Sequence, residues 1–250
     1  MLTPFMKVCL LIPVYNSTRF LPTLFNYVHK LNPKPDMTFF CENNSNDSTL
    51  EYIVHNYKLP YKIIRIWFRK DATKVSENVY DTIAHARQLL LTAARHYNPD
   101  YAIFLDSDVY PIDEDMITKL TAWNEDILGG MYIRNYPEGI FVASKWMNMN
   151  NKFLLKKPQS LTKPLDAPFA TSGGCLCLSN RVIQDRRLDF YPIIDWRGAS
   201  EDYGYCIKAR NLGYQIFLDT VTKIRHDNMR TTERMKPWTK SKGEYVSFEY

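Results

Sequence analysis

Residues 101–111 read Tyr-Ala-Ile-Phe-Leu-Asp-Ser-Asp-Val-Tyr-Pro, and this stretch indicates the fold more clearly than any other. Residues 102–105 are apolar without alternation, as expected of a strand that is buried on both faces of a sheet. Asp106 and Asp108 follow directly, and Pro111 prevents simple continuation of the sheet ladder. The stretch therefore predicts a core strand whose carboxyl end presents two acids.

Two acids at the end of a core strand suggest a ligand site. In an open α/β sheet, ligands bind in the crevice outside the carboxyl ends of the strands. Two neighbouring carboxylates are costly to desolvate unless a cation or a proton joins them. Their oxygens suit Mg²⁺ or Mn²⁺, which keep open positions for substrate phosphates. The alternative is a solvated turn, because aspartate is common in turns.

The composition predicts one domain that spans residues 1–250. The hydrophobic content of 45% is sufficient for a packed core and excludes a disordered chain. The net charge of +5 comes from interspersed acids and bases without a basic block, so we expect no nucleic-acid partner. The oligomeric state cannot be inferred from these features.

Cysteine usage and hydropathy bear on the compartment. The five cysteines are odd in number and lie mostly in apolar runs, which predicts buried free thiols and a reducing compartment. No apolar run approaches the ~20 residues of a membrane span, and no signal-peptide pattern is present. We therefore predict a cytoplasmic protein, and peripheral attachment to a membrane stays open. The cysteines are Cys9, Cys41, Cys175, Cys177 and Cys206.

Strand and helix signals alternate through the first half of the chain. This β-α-β-α-β-α-β order predicts an α/β fold with a mainly parallel central sheet flanked by helices and joined by right-handed crossovers. Strands are predicted at 7–14, 38–41, 61–68 and 102–105, and helices at 18–30, 49–57, 77–97 and about 113–123.

The pattern changes after residue 125, which predicts a mixed sheet and a small second sheet. Residues 127–133 and 139–144 resemble a strand pair with a turn at 137–139, and 152–166 resembles a loop. A strand region is predicted at 169–178, helices at 181–187 and 201–212, and a last strand at 214–218.

Polar clusters follow several predicted strands. Because the carboxyl ends of parallel strands meet at one edge, we expect the first three clusters to form a polar crevice. The fourth cluster begins the helix at 201–212. The clusters are Pro13 with Tyr15 and Asn16, Glu42 with Asn43 and Asn44, Asp106 with Asp108, and Ser200 with Glu201 and Asp202.

Two readings stay open for each charged candidate. Glu42 either accepts hydrogen bonds from a nucleoside or begins an Asn-rich turn. Glu201 and Asp202 either complement the helix macrodipole or supply a general base. Arg87 is either a surface arginine with a packed stem or reaches the acids or a phosphate.

The same holds for one histidine and a glycine pair. His226 follows a short apolar run, and it is either structural or completes a metal site with Asp108. Gly173 and Gly174 either form a β-bulge or let backbone N–H groups approach a diphosphate or an acceptor sugar.

Six stretches together resemble the GT-A glycosyltransferases, in particular the family-two type. They span nearly the whole chain in the order that this family shows. The stretches are Leu11-Ile12-Pro13-Val14-Tyr15-Asn16, Glu42-Asn43-Asn44-Ser45-Asn46-Asp47-Ser48-Thr49, Ala84-His85-Ala86-Arg87, Leu105-Asp106-Ser107-Asp108, Ser200-Glu201-Asp202-Tyr203-Gly204 and Ala209-Arg210-Asn211-Leu212-Gly213-Tyr214.

The resemblance implies a role for each candidate residue. Asp202 would be the general base, and Glu201 would bind the acceptor and be the alternative base. Asp106, Asp108 and His226 would hold Mn²⁺ or Mg²⁺, with Asp106 also near the ribose. The donor site would comprise Pro13, Tyr15, Asn16, Glu42, Asn44, Arg87, Asp106, Ser107, Gly173 and Gly174.

The resemblance also implies a reaction. A metal-dependent enzyme would move a sugar from a UDP- or GDP-sugar to a hydroxyl group of a glycan, with inversion. Residues 1–125 would bind the nucleotide sugar, 126–227 would bind the acceptor and carry the catalytic residues, and 228–250 would form a tail. The alternatives are a retaining enzyme similar to mannosyltransferases and a nucleotide-sugar-binding module without turnover.

Overall fold

The computed structural model describes residues 6–67, 75–134, 143–144, 146–147, 153–156, 165–166, 168–191, 200–227 and 245–247. In chain order the elements are β1 (Val8–Val14), α1 (Leu21–Val28), β2 (Met37–Asn43), α2 (Thr49–Asn56), β3 (Tyr61–Ile66), α3 (Val75–Tyr97), β4 (Tyr101–Leu105), β5 (Val109–Pro111), α4 (Met116–Ala122), β6 (Ile127–Arg134), β7 (Ala143–Ser144), β8 (Trp146–Met147), β9 (Phe153–Lys156), β10 (Leu165–Asp166), β11 (Ala170–Thr171), β12 (Cys175–Ser179), α5 (Asn180–Gln184), α6 (Glu201–Asn211), β13 (Phe217–His226) and β14 (Tyr245–Ser247).

A mixed sheet organises the described chain, and its first half is parallel as the sequence predicts. The strands β4, β1, β2 and β3 are neighbours in that order, and every pair among these neighbours is parallel. Parallel neighbours need crossover connections, and α1, α2 and α3 lie in those connections. The predicted α/β class is confirmed.

The second half of the chain extends the same sheet beyond β4. The strand β12 is antiparallel to both β4 and β6, and β13 runs parallel to β6. The strand β5 pairs with the end of β13, which brings the residues after Asp108 next to His226. A small sheet of β8, β9 and β14 lies apart from the central one.

The central strands bury side chains on both faces. Leu10 and Ile103 pack into a core with α1, whereas Leu11 and Phe104 pack into a second core with α3 and α6. All four side chains are fully buried. Alternate residues of one strand therefore enter two different cores, which explains why β1 and β4 are continuously apolar.

Two strand predictions in the second half are wrong. The stretch 152–166, predicted as a loop, contains β9 and β10. The last strand does not end at 218 but continues to His226, because an irregularity between Asp219 and Ile224 interrupts the ladder without ending it. Beyond that point buried and exposed residues alternate, so a search for apolar runs overlooks the strand.

The predicted pairing of 127–133 with 139–144 is not observed in the described residues. Ala143 and Ser144 pair instead with Thr171 and Ala170. The strand β6 already has β12 and β13 as neighbours, so neither of its edges is open to a hairpin partner. The turn predicted at 137–139 lies outside the described residues, as does most of 228–250.

The five cysteines are buried free thiols, as predicted. Burial raises the pKa of the Cys175 thiol to about 12, so this thiol is inert at neutral pH. Across the part of the chain that is described, each helix is too short or too polar to span a bilayer.

Two glycines in β6 allow neighbouring side chains to pack closely. A Cβ atom at Gly130 would lie 2.4 Å from Ile224 Cδ1 and 2.7 Å from Cys175 Sγ. Both neighbours come from the strands that flank β6. The Ile224 and Cys175 side chains can therefore pack over β6 only because position 130 has no side chain.

We expect Gly130→Ala to lower the free energy of unfolding by about 1–3 kcal/mol, because the added methyl group overpacks this contact. Val54→Ala, on an exposed position of α2, should change it by less than about 0.5 kcal/mol. Urea denaturation of the two variants and the wild type measures both effects. Equal midpoints for Gly130→Ala and the wild type would contradict the packing argument.

Candidate active site

The carboxyl ends of β1, β2 and β4 lie at one edge of the sheet. Val14 is level with Glu42 across the β1–β2 pair, and Leu11 is level with Phe104 across the β1–β4 pair. Pro13 is inside β1, level with Cys41. The three polar clusters that follow these strands are therefore brought to the same edge, as the sequence predicts.

The loop after β1 and the loop after β2 brace each other. The Asn16 N–H donates to Ser45 Oγ at 3.0 Å, and Asn16 Oδ1 accepts from the Asn46 N–H at 2.9 Å. Asn16 and Asn44 have φ values of 47° and 46°, a left-handed conformation that asparagine tolerates better than most residues. Both residues therefore shape the rim of the crevice.

Glu42 is buried and holds two groups. Its Oε1 accepts from the Ser45 N–H at 2.6 Å, and its Oε2 accepts from Arg65 Nε at 3.3 Å. The side chain is only 1% exposed. A buried carboxylate needs such donors, so Glu42 fixes the turn that follows β2 and orients an arginine on β3.

A serine pair joins the β1 loop to the acidic loop. Ser17 Oγ lies 2.9 Å from Ser107 Oγ and accepts from the Tyr15 N–H at 3.1 Å. Ser107 therefore lies next to the predicted nucleoside residues. No motif in the sequence indicates Ser17, because its contact with Ser107 depends on how the two loops are arranged in the fold.

Arg87 lies at the centre of the site and is not a surface residue. It is 2% exposed, and its Nη2 donates to Asp106 Oδ1 at 2.8 Å and Oδ2 at 3.1 Å. Its Nε donates to Glu201 Oε1 at 3.0 Å, and its Nη1 donates to the Gly173 carbonyl at 2.9 Å. One guanidinium from α3 therefore joins the loop after β4, the turn before β12 and the start of α6.

The glycine pair makes room for two large side chains. A Cβ atom at Gly173 would lie 2.8 Å from Arg87 Cζ, and one at Gly174 would lie 2.2 Å from Tyr132 Oη. The Gly173 N–H donates to Asp202 Oδ2 at 2.9 Å. The structure thus provides a packing reason for both glycines, beside the approach to a ligand that the sequence suggests.

The two acids of α6 have different surroundings. Asp202 accepts from the Gly173 N–H, from the Ser200 hydroxyl and from the Tyr203 N–H. The Glu201 carboxylate accepts a hydrogen bond from Arg87 Nε. Burial and the nearby Asp202 carboxylate raise the pKa of Glu201 to about 7, although Arg87 opposes this shift.

Arg87 keeps its positive charge despite its burial. Burial alone would lower its pKa, but the carboxylates of Asp106, Glu201 and Asp202 outweigh that effect and raise the pKa. We call Arg87, Asp106, Gly173, Glu201 and Asp202 the Arg87 cluster.

Asp108 and His226 face each other beside the Arg87 cluster. His226 Nε2 lies 3.8 Å from Asp108 Oδ2, and the histidine ring stacks on Tyr132 at 5.5 Å between centroids. The Tyr132 hydroxyl lies 2.8 Å from Ser172 Oγ, which holds the tyrosine in place. No motif in the sequence indicates Tyr132, because its contact with His226 joins distant segments of the chain.

Asp108 and His226 suit a divalent cation whose remaining coordination positions a substrate would occupy. One imidazole nitrogen and one carboxylate suit Mn²⁺, and few protein ligands leave positions for phosphate oxygens and water. Within the described residues, no three His, Cys, Asp or Glu side chains group closely enough to hold a metal. Asp106, predicted as a third ligand, directs its carboxylate toward Arg87.

Comparison with known proteins identifies the family. A model described as glycosyl transferase family 2 matches residues 9–180, which is more than half of the chain. The chain belongs to glycosyl transferase family 2. A sequence comparison with curated proteins gives no match.

Solved structures share the GT-A fold with this family member. They include S. aureus TarS in complex with UDP (TM-score 0.58, 18% identity, 88% of this chain and 60% of that chain). Mannosyltransferase PcManGT from Pyrobaculum calidifontis, in complex with GDP-Man and Mn²⁺, has a TM-score of 0.56 and 14% identity over 89% of this chain and 57% of that chain. GalNAc-T7 with UDP, GalNAc and Mn²⁺ has a TM-score of 0.55 and 14% identity over 89% of this chain and 44% of that chain.

The likeness is one of fold, because each of these structures is less than 25% identical to the chain. The chain spans 36–60% of the length of the S. aureus TarS structures that it matches. The predicted GT-A, family-two-like fold is confirmed.

The raised pKa of Glu201 predicts a pH-dependent stability. Between its ordinary pKa of 4.5 and about 7, the folded carboxyl keeps a proton that the unfolded chain has released. The free energy of unfolding should therefore fall as the pH rises through this window, by up to about 3 kcal/mol. Glu201→Gln removes this contribution, because glutamine does not titrate.

Urea denaturation at pH 4.5, 6 and 7.5 tests this expectation. The stability difference between Glu201→Gln and the wild type should shift in favour of the variant as the pH rises. Glu51→Gln, which alters an exposed acid in the first turn of α2, should run parallel to the wild type. A Glu201→Gln curve that also ran parallel would contradict the raised pKa.

Proposed function

We propose that this family member transfers a sugar from a nucleotide-diphosphate sugar to a hydroxyl group of a glycan acceptor, with a divalent metal and with inversion. One observation carries the proposal. Arg87 joins Asp106 to Glu201, and Asp108 faces His226 beside them. Acids from distant parts of the chain thus meet at the edge where nucleotide-binding sheets place their ligands.

Asp108 and His226 are the proposed metal ligands, with Mn²⁺ or Mg²⁺ as the ion. When bound, the ion would offset negative charge on the departing diphosphate. The nearby imidazole and carboxylate support this assignment, as do the Mn²⁺ complexes of PcManGT and GalNAc-T7. Asp106 has a different proposed role, because both of its carboxylate oxygens accept hydrogen bonds from Arg87. It would position the acidic loop next to the ribose.

Asp202 is the proposed general base, and Glu201 is the alternative. The base accepts the proton of the acceptor hydroxyl while that oxygen forms a bond to the anomeric carbon and the bond to the nucleoside diphosphate breaks. Three donors hold the Asp202 carboxylate in one orientation, which supports a positioned base. The pKa of Glu201, raised to about 7 by burial, is suited to proton transfer near neutral pH.

The loops after β1 and β2 are the proposed site for the nucleoside. Pro13, Tyr15 and Glu42 would line the pocket. The hydrogen bonds between Asn16 and the loop that contains Asn44 hold the two loops together, which supports a pocket that is formed before the nucleotide binds. The structure of TarS contains UDP and that of PcManGT contains GDP-Man, so UDP- and GDP-sugars are both candidates for the donor.

We expect Asp108→Ala to lower Mn²⁺-dependent transfer by at least about 10²-fold, because it removes one of the two proposed metal ligands. Asp202→Asn should keep nucleotide affinity within about threefold and lower transfer by about 10²–10⁴-fold. Asp115→Ala, at an exposed acid before α4, is the control. The measurements are calorimetry with UDP and GDP, and transfer from a panel of UDP- and GDP-sugars.

Two outcomes would contradict this function. Unchanged transfer in Asp108→Ala would exclude the metal site. Nucleotide binding by the wild type without turnover on any glycan of a panel would favour a binding module. Glu201 is the base if Glu201→Gln abolishes transfer whereas Asp202→Asn does not. In that case the apparent pKa near 7 in the pH–rate profile should also disappear in Glu201→Gln.

The proposed inversion can be tested separately, because a single displacement reverses the anomeric configuration of the transferred sugar. With a donor whose sugar is α-linked, we expect a β-linked product in the proton NMR spectrum of the first turnover. An α-linked product would contradict inversion and support the retaining alternative similar to mannosyltransferases. The assignment uses the anomeric coupling constant, with the intact donor as the reference spectrum.

A further inference from the structure

A tyrosine of β5 contacts the residues on both sides of His226. Tyr110 is level with Arg225 across the β5–β13 pair, and the Arg225 guanidinium lies over the tyrosine ring with Cζ 5.3 Å from its centroid. The Tyr110 hydroxyl donates to Asp227 Oδ2 at 3.1 Å. One side chain therefore holds the segment 225–227, and the middle residue of that segment is a candidate metal ligand.

Tyr110 is itself fixed by the core. Its side chain is fully buried, and the ring of Tyr27 on α1 stacks on it at 6.1 Å between centroids. A buried phenol hydroxyl needs an acceptor, and the Asp227 carboxylate supplies one. The core thus determines where the hydroxyl lies, and the hydroxyl holds Asp227 at that position.

The main chain of Asp227 reaches the other candidate metal ligand. The Asp227 N–H donates to the Asp108 carbonyl at 2.7 Å, which extends the contact between β13 and β5 by one residue. The Val109 N–H donates to the Asp106 carbonyl at 3.0 Å and closes the turn that contains Asp108. The main chain of Asp108 is therefore bonded to the residue next to His226.

We propose that Tyr110 and Asp227 are positioning residues for the metal site, and that their hydrogen bond sets the separation of Asp108 from His226. This inference rests on the proposed function, because it takes those two residues to be the metal ligands. The phenol hydroxyl fixes the Asp227 side chain, and the Asp227 N–H fixes the Asp108 carbonyl. Tyr110 and Asp227 act through the positions of the ligands and do not bind the ion.

The separation of the two ligands matters because both must reach the same ion. His226 Nε2 lies 3.8 Å from Asp108 Oδ2. Two donor atoms that share an ion through bonds of about 2.1 Å can lie at most about 4.2 Å apart. A small outward shift would therefore leave the ion with one of these two ligands. Groups that orient metal ligands typically contribute about 10–100-fold to metal affinity.

The test measures Mn²⁺ binding and not turnover. Electron paramagnetic resonance, which detects free Mn²⁺, gives the affinity of each variant alone and with UDP or GDP. We expect Tyr110→Phe to weaken Mn²⁺ binding by about 10–100-fold, because it removes the hydroxyl and keeps the ring and every charge. The visible absorption spectrum of bound Co²⁺, which reports ligand geometry, should also differ from that of the wild type.

A matched control removes the same atom elsewhere. The Tyr101 hydroxyl donates to Asn124 Oδ1 at 3.1 Å, the same distance as in the Tyr110 contact. Tyr101 is the first residue of β4, whereas Asp108 follows the end of that strand. Tyr101→Phe should therefore keep Mn²⁺ affinity within about twofold of the wild type and leave the Co²⁺ spectrum unchanged.

Two variants of Asp227 separate the hydrogen bond from the charge. Asp227→Ala removes the acceptor and should weaken Mn²⁺ binding at least as much as Tyr110→Phe. Asp227→Asn keeps a side-chain oxygen that accepts from Tyr110, so we expect a distinctly smaller loss. In the double variant of Tyr110→Phe with Asp227→Ala the two losses should not add, because both changes remove the same bond.

Different results would overturn this inference or the proposed function. Unchanged Mn²⁺ affinity in Tyr110→Phe overturns the inference alone, as does a weaker affinity with an unchanged Co²⁺ spectrum, which shows general destabilisation. Equal losses in Asp227→Ala and Asp227→Asn show that Asp227 acts through its charge and also overturn it. This pair still decides if Tyr110→Phe does not fold. A wild type that binds no Mn²⁺, even with UDP or GDP, contradicts the metal site of the proposed function instead.

Discussion

A buried guanidinium is the constraint on which the rest of the site depends. Arg87 is almost inaccessible to water, so its charge must be balanced by the protein. Asp106 and Glu201 bond it directly, and Asp202 adds a third negative charge nearby. Three acids surround this one cation, and burial together with the neighbouring Asp202 carboxylate raises the pKa of Glu201. A cation or a proton is what such a cluster can still accept.

The same constraint explains the backbone around the site. Arg87 can reach the Gly173 carbonyl only because position 173 has no side chain, and Gly174 gives Tyr132 the same freedom. Tyr132 in turn stacks on His226, which faces Asp108. One turn before β12 thereby connects the acids of α6, the acidic loop after β4 and the histidine that ends β13. The candidate base and the candidate metal ligands are positioned by one packed unit.

Much of the fold followed from periodicity, and the exceptions have physical causes. The strands of the first half are apolar on both faces, as at Leu10 and Leu11, so their pattern is unambiguous. The strand β13 is interrupted after Asp219 and then alternates, and β5 contains Pro111, so neither resembles a core strand locally. Their ladders form because the neighbouring strand supplies partners, which a local pattern does not contain.

The amino-acid sequence alone determined the class of fold, the edge where the polar clusters meet and the types of residue that the site contains. These features depend on strand order and local hydrophobicity, which are written along the chain. The tertiary structure alone decided which atoms meet: that Arg87 faces Asp106 and Glu201, that Glu42 holds Arg65, and that Asp108 lies opposite His226. Such contacts depend on where distant segments lie in space, and the spacing of residues along the chain does not encode the distance between those segments.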